Sequence, residues 1–92
     1  MDFKVIFKDS FIEDLEDIVL RIASENPSAG RILGELILQY CESLSFFPER
    51  YPKVKQRPIL RRFIVKKRYK IFYRVNPPEW NGRNLALLGR IP

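Results

Sequence analysis

The spacing of hydrophobic residues predicts one strand and two amphipathic helices in the first half of the chain. Phe3, Val5 and Phe7 alternate with their neighbours, which is typical of a short strand with one exposed face. Apolar residues then recur every three or four positions over residues 11–24 and again over residues 27–44. We therefore expect two helices, each with one apolar face directed at a common core.

Two local signals mark the ends of these helices. Ser10 followed by Glu13 has the form of a capping box, in which each side chain accepts a hydrogen bond from a backbone N–H at the start of a helix. The Asn-Pro pair at residues 26–27 predicts the end of the first helix and the start of the second. Because this connection is so short, the helices must lie antiparallel. Gly30 and Gly34 would then let the two backbones approach closely, although glycine lowers helix propensity.

The second half of the chain has the two-residue period of β-strands. In residues 68–75, alternate side chains are predicted to face the helices and the solvent. The inward set is Tyr69, Ile71, Tyr73 and Val75, and the outward set is Arg68, Lys70, Phe72 and Arg74. The preceding strand, residues 59–65, admits two registers that differ by one residue. In one register Arg61, Phe63 and Val65 lie on a given face of the sheet, and in the other Arg62, Ile64 and Lys66 lie on that face.

The connections complete the predicted topology. Residues 66–68 are all cationic and form the predicted hairpin tip, although they lack the Asn-Gly pair of a tight turn. A longer loop with a turn at residues 81–82 leads to a last strand over residues 84–88, whose two apolar faces suit an inner strand. The element order is β-α-α-β-β-β. We expect a single α+β domain over residues 1–92, with a helical hairpin packed on one face of a mainly antiparallel sheet.

Charge is distributed unevenly along the chain, whose net charge is +6. Residues 1–50 carry 5 basic and 10 acidic side chains, whereas residues 51–92 carry 12 basic and 1 acidic side chain. Ten cations and no acid lie between Lys53 and Arg74. Because an unbalanced field of this kind attracts polyanions or acidic proteins, we expect the outward face of the sheet to be a binding surface.

The composition excludes several kinds of active site. The chain has no histidine, which removes the most common general base and the most common zinc ligand. Its single cysteine, Cys41, lies within an apolar helical pattern and is predicted to be a small buried hydrophobe. We expect no metal and no cofactor. Neither a membrane-spanning run nor a signal peptide is recognisable, so we expect a cytoplasmic protein without membrane contact.

Five segments carry a resemblance to a known family. They are the opening strand, Asp-Leu-Glu-Asp-Ile at residues 14–18, Asn-Pro-Ser-Ala at residues 26–29, Leu-Ser-Phe-Phe-Pro at residues 44–48 and Arg-Tyr-Lys-Ile-Phe-Tyr-Arg-Val at residues 68–75. In this order they resemble the ParE/RelE superfamily, the toxins of bacterial type II toxin–antitoxin systems, often described as plasmid stabilisation proteins. The last segment is similar to the family's Y-R-I-x-Y-R-V strand.

RelE-like members of this superfamily cut mRNA in the ribosome with lysine, arginine and a tyrosine near the C-terminus, without histidine. If the chain is of this kind, the resemblance implies catalytic roles for Arg62, Lys70, Arg61 and Arg90. The place of a second lysine on the preceding strand is taken by Phe63 or Ile64, and no tyrosine follows the last predicted strand. Fixed cations can stabilise a phosphorane-like transition state, but the proton-transfer group is then missing, because Tyr69 and Tyr73 are predicted to face the core.

ParE-like members instead poison DNA gyrase and are not known to require a hydrolytic site. A basic surface with an incomplete nuclease site resembles this branch more closely. We therefore expect a ParE-like toxin that acts by binding, with RelE-like mRNA cleavage as the alternative. A basic binding module that kept the fold without toxicity is a further alternative.

The resemblance also implies partners. An antitoxin encoded in the adjacent gene is expected to place an acidic and apolar tail over the helical hairpin and the sheet, and oligomers are expected to form through this antitoxin. The expected target is DNA gyrase or, in the alternative, the ribosome and its mRNA. The candidate binding residues are Arg61, Arg62, Lys66, Lys67, Arg68, Lys70, Phe72 and Arg74.

Overall fold

Two helices and a five-stranded sheet make up the computed structural model, which describes residues 2–77 and 82–89. The elements in chain order are β1 (Lys4–Phe7), α1 (Asp9–Ala23), α2 (Pro27–Ser43), β2 (Lys53–Val54), β3 (Arg57–Val65), β4 (Tyr69–Val75) and β5 (Asn84–Leu88). The predicted α+β class and the order of its elements are confirmed. The short strand β2 was not predicted, because two residues are too few to show an alternation.

The strand order in the sheet is β1-β5-β4-β3-β2. The pair β1 and β5 is parallel, and the other neighbouring pairs are antiparallel. Strand β5 is therefore an inner strand, as its two apolar faces predicted. The predicted turn at residues 81–82 lies partly outside the described residues, and Gly82 within them has a φ of 85°.

The capping box predicted at the start of α1 is wrong. The helix begins at Asp9, and Lys8 occupies the N-cap position without a side-chain hydrogen bond. Ser10 therefore lies inside the first turn, where its Oγ accepts a hydrogen bond from the Gly89 backbone N–H at 3.1 Å. A Cβ atom on Gly89 would lie 2.7 Å from the Cβ of Ser10, so the end of β5 docks closely against this turn.

The start of α2 and the contact between the helices agree with the sequence. The side chain of Asn26 accepts a hydrogen bond from the Ala29 backbone N–H at 3.1 Å, and Pro27 occupies the first turn. A Cβ atom on Gly30 would lie 2.8 Å from the Cβ of Ala23 and 2.9 Å from the carbonyl oxygen of Val19. The absence of a side chain at Gly30 thus allows α1 and α2 to pack closely.

The hydrophobic core lies between the helices and one face of the sheet. It contains residues of both helical stripes and of strands β3, β4 and β5, among them Phe11, Leu33, Ile37, Cys41, Leu44, Phe63, Val65, Ile71, Tyr73, Leu85 and Leu87. Phe63 pairs with Ile71 in the ladder of β3 and β4, which settles the register that the sequence left open. Arg61, Phe63 and Val65 face the helices, and Arg62 and Ile64 face away.

Among the described residues, no helix is long and apolar enough to span a lipid bilayer.

Candidate functional site

An open concavity of about 670 Å³ borders the sheet face that points away from the core. We call it the cationic concavity. Its lining combines side chains of α1, β2, β3 and β4 with those of the turns that connect β2 to β3 and β3 to β4. The lining residues are Ile18, Arg21, Val54, Gln56, Arg57, Arg62, Arg68, Tyr69, Lys70 and Phe72.

The ladder between β3 and β4 places the central residues of this site. Arg62 pairs with Phe72, and Ile64 pairs with Lys70. Because paired residues of neighbouring strands project to the same side of a sheet, all four lie on the open face. Arg62, Ile64 and Lys70 are exposed and Phe72 is half-buried. The alternation of β4 alone predicted the outward positions of Lys70 and Phe72.

The lining of the concavity is strongly positive. Arg21, Arg57, Arg62, Arg68 and Lys70 contribute five cations, and no carboxylate lines the site among the described residues. The ion pairs seen in the described part of the chain, Arg31 with Glu35 and Arg61 with Glu49, involve none of these five. Cations clustered in a concave surface focus a positive potential, so the site is suited to a negatively charged ligand.

Arg61 lies on the other side of the sheet from Arg62 and Lys70. Its Nη1 donates hydrogen bonds to the backbone oxygen of Tyr51 at 2.7 Å and to that of Glu49 at 3.2 Å. Its side chain is only 16% exposed. Arg61 therefore fixes the connector between α2 and β2, and the structure does not bring it together with the other candidate residues.

The remaining predicted site residues lie around the concavity. Lys66 and Lys67 are exposed at the hairpin tip, next to Arg68, which lines the site. Arg74 lies on the open face beyond Phe72, where it pairs with Ala86 and is half-buried. Arg90 is outside the described residues.

The hairpin tip has an unusual backbone for its sequence. Lys66 and Lys67 both have positive φ angles, 53° and 57°, and the Arg68 N–H donates to the Val65 oxygen at 3.1 Å. This left-handed conformation at two successive residues is the one for which hairpins prefer asparagine and glycine. The Lys-Lys pair therefore forms a tight turn without the residues that usually favour one.

Sequence reasoning missed several residues of the concavity. Tyr69 was expected to face the core, and it does pack against the core, but it is only half-buried and also lines the concavity. Arg57 belongs to the cationic run between Lys53 and Arg74, so its charge was a usable signal. Arg21 gave no signal, because the pattern of α1 does not show that its last turn borders the sheet's open face.

The described residues hold little of the chemistry of a hydrolytic site. Burial raises the pKa of the Cys41 thiol to about 12, and the charge of Glu42 acts in the same direction, so this thiol is protonated at neutral pH. No group of three or more potential metal ligands occurs in the described part of the chain. In the described lining of the concavity, the one hydroxyl belongs to Tyr69.

Comparisons with known proteins agree with this fold. A family model described as the ParE toxin of the type II toxin–antitoxin system, parDE, matches residues 5–88. A solved structure, "Chromosomal ParDE TA system from P. aeruginosa", has a TM-score of 0.75 at 14% sequence identity, over 95% of this chain and 91% of that chain. This likeness shows a shared fold. No curated protein sequence matches the chain.

Proposed function

The chain belongs to the ParE toxin family of type II toxin–antitoxin systems, and from this premise we propose that it inhibits growth by poisoning DNA gyrase in the cytoplasm. The observation that carries the proposal is the family match, which spans both helices and nearly the whole sheet. The make-up of the concavity supports an action by binding. It offers cations and an aromatic surface, and its described lining contains no carboxylate and no thiol.

The ladder of β3 and β4 gives further support for binding over cleavage. The residue opposite Lys70 on the open face is Ile64, which is exposed and apolar. A nuclease that depends on fixed cations to stabilise a pentacovalent phosphate would gain from a second cation beside Lys70. This position supplies none.

Gyrase assays with the purified protein, free of antitoxin, test the proposal. We expect inhibition of supercoiling and accumulation of cleaved DNA held by gyrase. Unchanged supercoiling together with unchanged DNA cleavage would refute it. If induced expression also leaves several bacterial hosts unharmed, a binding module without toxicity becomes the better description.

The proposal includes neutralisation by an antitoxin encoded next to the toxin gene. An acidic and apolar tail suits two features of the surface, the cationic concavity and the exposed apolar residues of the helical hairpin and of the α2 end. Those residues include Leu20, Ile32, Phe46 and Phe47. Opposite charges also accelerate association, and this acceleration falls as salt rises.

A pull-down with the product of the adjacent gene tests this partner. Arg62→Glu together with Lys70→Glu should weaken the complex, whereas Lys8→Glu, at an exposed position outside both of these features, should not. Arg61 is left unchanged because its side chain holds the connector. The antitoxin proposal fails if the adjacent product does not bind, or if it binds the double variant and the native protein equally well.

One observation favours a second function, ribosome-dependent mRNA cleavage. Tyr69 lines the concavity with Arg62, Arg68 and Lys70, so a hydroxyl able to exchange a proton is present beside the cations. The reaction would join the 2′-oxygen to phosphorus, release the 5′-oxygen of the next nucleotide and leave a 2′,3′-cyclic phosphate. Cuts in mRNA on programmed ribosomes that disappear with Tyr69→Phe and Lys70→Ala would support it, and uncut message would exclude it.

A further inference from the structure

We propose that the cationic concavity and the adjoining hairpin tip bind the phosphodiester backbone of single-stranded nucleic acid. The inference deepens the proposed function, and it rests on that function only for the identity of the strand, which would be the unpaired staggered ends of DNA that gyrase has cut. Gyrase would then be poisoned through a contact with its DNA. The binding itself is a property of this chain alone.

The number and arrangement of cations support a polyanion as the ligand. Five cations line the concavity, and Lys66 and Lys67 add two more at the adjoining tip. No ion pair seen in the described part of the chain neutralises them. A nucleic acid releases condensed counterions when its phosphates meet such cations, and this release drives association at moderate salt.

The hairpin tip supplies an independent observation. Its left-handed backbone at Lys66 and Lys67 is strained for most residues other than glycine, and asparagine, which tolerates this conformation, and glycine would relieve that strain. Strain of this kind is often retained where a side chain is needed for function. Two lysines at this turn place two charges next to Arg68, which lines the concavity.

The aromatic residues distinguish a nucleic acid from an acidic peptide. Phe72 is half-buried in the open face, paired with Arg62 on one side and Leu88 on the other. Tyr69 also lines the concavity. Grooves that bind single strands combine cations along the backbone with aromatic rings on which unpaired bases stack. A polyglutamate peptide, which has no apolar or aromatic side chain, would contact the cations alone, and a duplex keeps its bases stacked on each other.

Fluorescence anisotropy with a labelled thymidine oligonucleotide of 12 nucleotides, without gyrase or antitoxin, tests the inference. We expect saturable binding that weakens linearly with the logarithm of the salt concentration. Arg62→Gln and Lys70→Gln should each reduce the slope by about 0.7, the value for one phosphate contact on a single strand. Arg31→Gln removes the same charge on α2 and should leave both affinity and slope unchanged.

Two further variants separate the contributions of the tip and of the ring. The double substitution Lys66→Asn and Lys67→Gly should reduce the salt slope by about 1.4, twice the value for one contact. Its thermal midpoint should not fall, because the new residues suit the turn, so weaker binding cannot be ascribed to unfolding. Phe72→Leu keeps apolar bulk and should weaken binding about tenfold at an unchanged slope, as expected for one lost base stack.

The same titration includes an RNA strand, a DNA duplex and a polyglutamate peptide. Because the contacts are to the backbone and to base faces, single-stranded DNA and RNA should both bind, and more tightly than the duplex or the peptide. The inference is overturned by absent saturable binding, by variants that match the Arg31→Gln control, or by equal binding of polyglutamate or duplex. Gyrase poisoning without oligonucleotide binding would refute the inference and keep the proposed function. Oligonucleotide binding without gyrase poisoning would support the inference and refute the proposed function.

Discussion

Arg61 and Arg62 are neighbours in sequence, yet the alternation of β3 sends them to opposite faces of the sheet. Arg61 faces the helices and donates hydrogen bonds to two backbone oxygens of the connector. Arg62 is exposed and lines the cationic concavity. The two arginines therefore have different physical consequences when they are replaced.

Arg61→Ala should lower the free energy of unfolding by about 1–3 kcal/mol, because two carbonyl oxygens lose a charged donor. Arg62→Ala should change it by no more than about 0.5 kcal/mol, as is usual for an exposed side chain. Urea denaturation of both variants measures the difference. Equal effects on stability would show that the assignment of the two residues to opposite faces is wrong.

The buried thiol of Cys41 makes the free energy of unfolding depend on pH in the alkaline range. Its pKa is raised from 9.0 to about 12 in the folded protein, mainly by burial. The folded state therefore keeps a proton that the unfolded chain releases, and the stabilisation is fully present below pH 9.0 and is lost as pH rises towards about 12. Burial also raises the pKa of the Tyr73 hydroxyl above its ordinary value of 10.0, so its ionisation acts in the same direction.

The slope of unfolding free energy against pH should accordingly be more negative in the native protein than in Cys41→Ala. The difference should reach at most about 1.4 kcal/mol per pH unit, the value for one proton. The slope is the informative quantity, because the substitution also removes packing at every pH. Identical slopes between pH 9 and pH 10 would mean that the thiol ionises freely in the folded state.

At the scale of elements, strong periodicity predicted the helices and β4, whereas of the two local end signals only the Asn26–Pro27 pair was correct. The alternation in residues 69–75 predicted the inner and outer faces of β4, and the helical spacing predicted both helices. The Ser10–Glu13 pattern failed because α1 starts before it and Ser10 bonds Gly89 instead. The register of β3 needed its partner strand, since Phe63 and Ile64 are both apolar and either suited the core.

The helical hairpin offers a matched pair of glycines. Gly30→Ala should destabilise the protein by about 1–3 kcal/mol, because the new methyl would lie 2.9 Å from the backbone oxygen of Val19, which cannot move aside. At Gly34 the nearest atom is the Cγ2 of Val19 at 3.2 Å, which can adjust. Gly34→Ala should therefore be near neutral, since alanine regains about 1 kcal/mol of helix propensity.

Thermal unfolding of the two variants compares these substitutions directly. A Gly30→Ala protein as stable as Gly34→Ala would contradict the close contact between the helices. Their order of stability is informative because both substitutions add the same methyl group to the same helix.

At the scale of the whole molecule, the fold separates the two charge populations. Many of the acids lie on the exposed side of α1, whereas the cations of β3 and β4 are collected around the open face of the sheet. The sequence showed this asymmetry as different numbers of acidic and basic residues in its two halves. It did not show that the last turn of α1 brings Arg21 to the same concavity as Arg57 and Lys70, because that approach depends on how the helix lies across the sheet.

The positive charge of the concavity is the feature of the fold through which we expect the protein to act on gyrase. If it mediates contact with the gyrase–DNA complex, reversing two of its charges should reduce poisoning without unfolding the protein. Arg62→Glu with Lys70→Glu is the informative variant, since both side chains are exposed. Arg31→Glu, which changes one exposed cation outside the concavity, is the control.

The most direct measurement of the central claim is the amount of linear DNA that gyrase leaves after denaturation, with each of these proteins added free of antitoxin. We predict linear DNA with the native protein, the same amount with Arg31→Glu, and a loss of about tenfold with the double variant, as electrostatic association would require. No linear DNA above the gyrase-only level with the native protein would contradict gyrase poisoning. Equal amounts with all three proteins would contradict the role of the concavity.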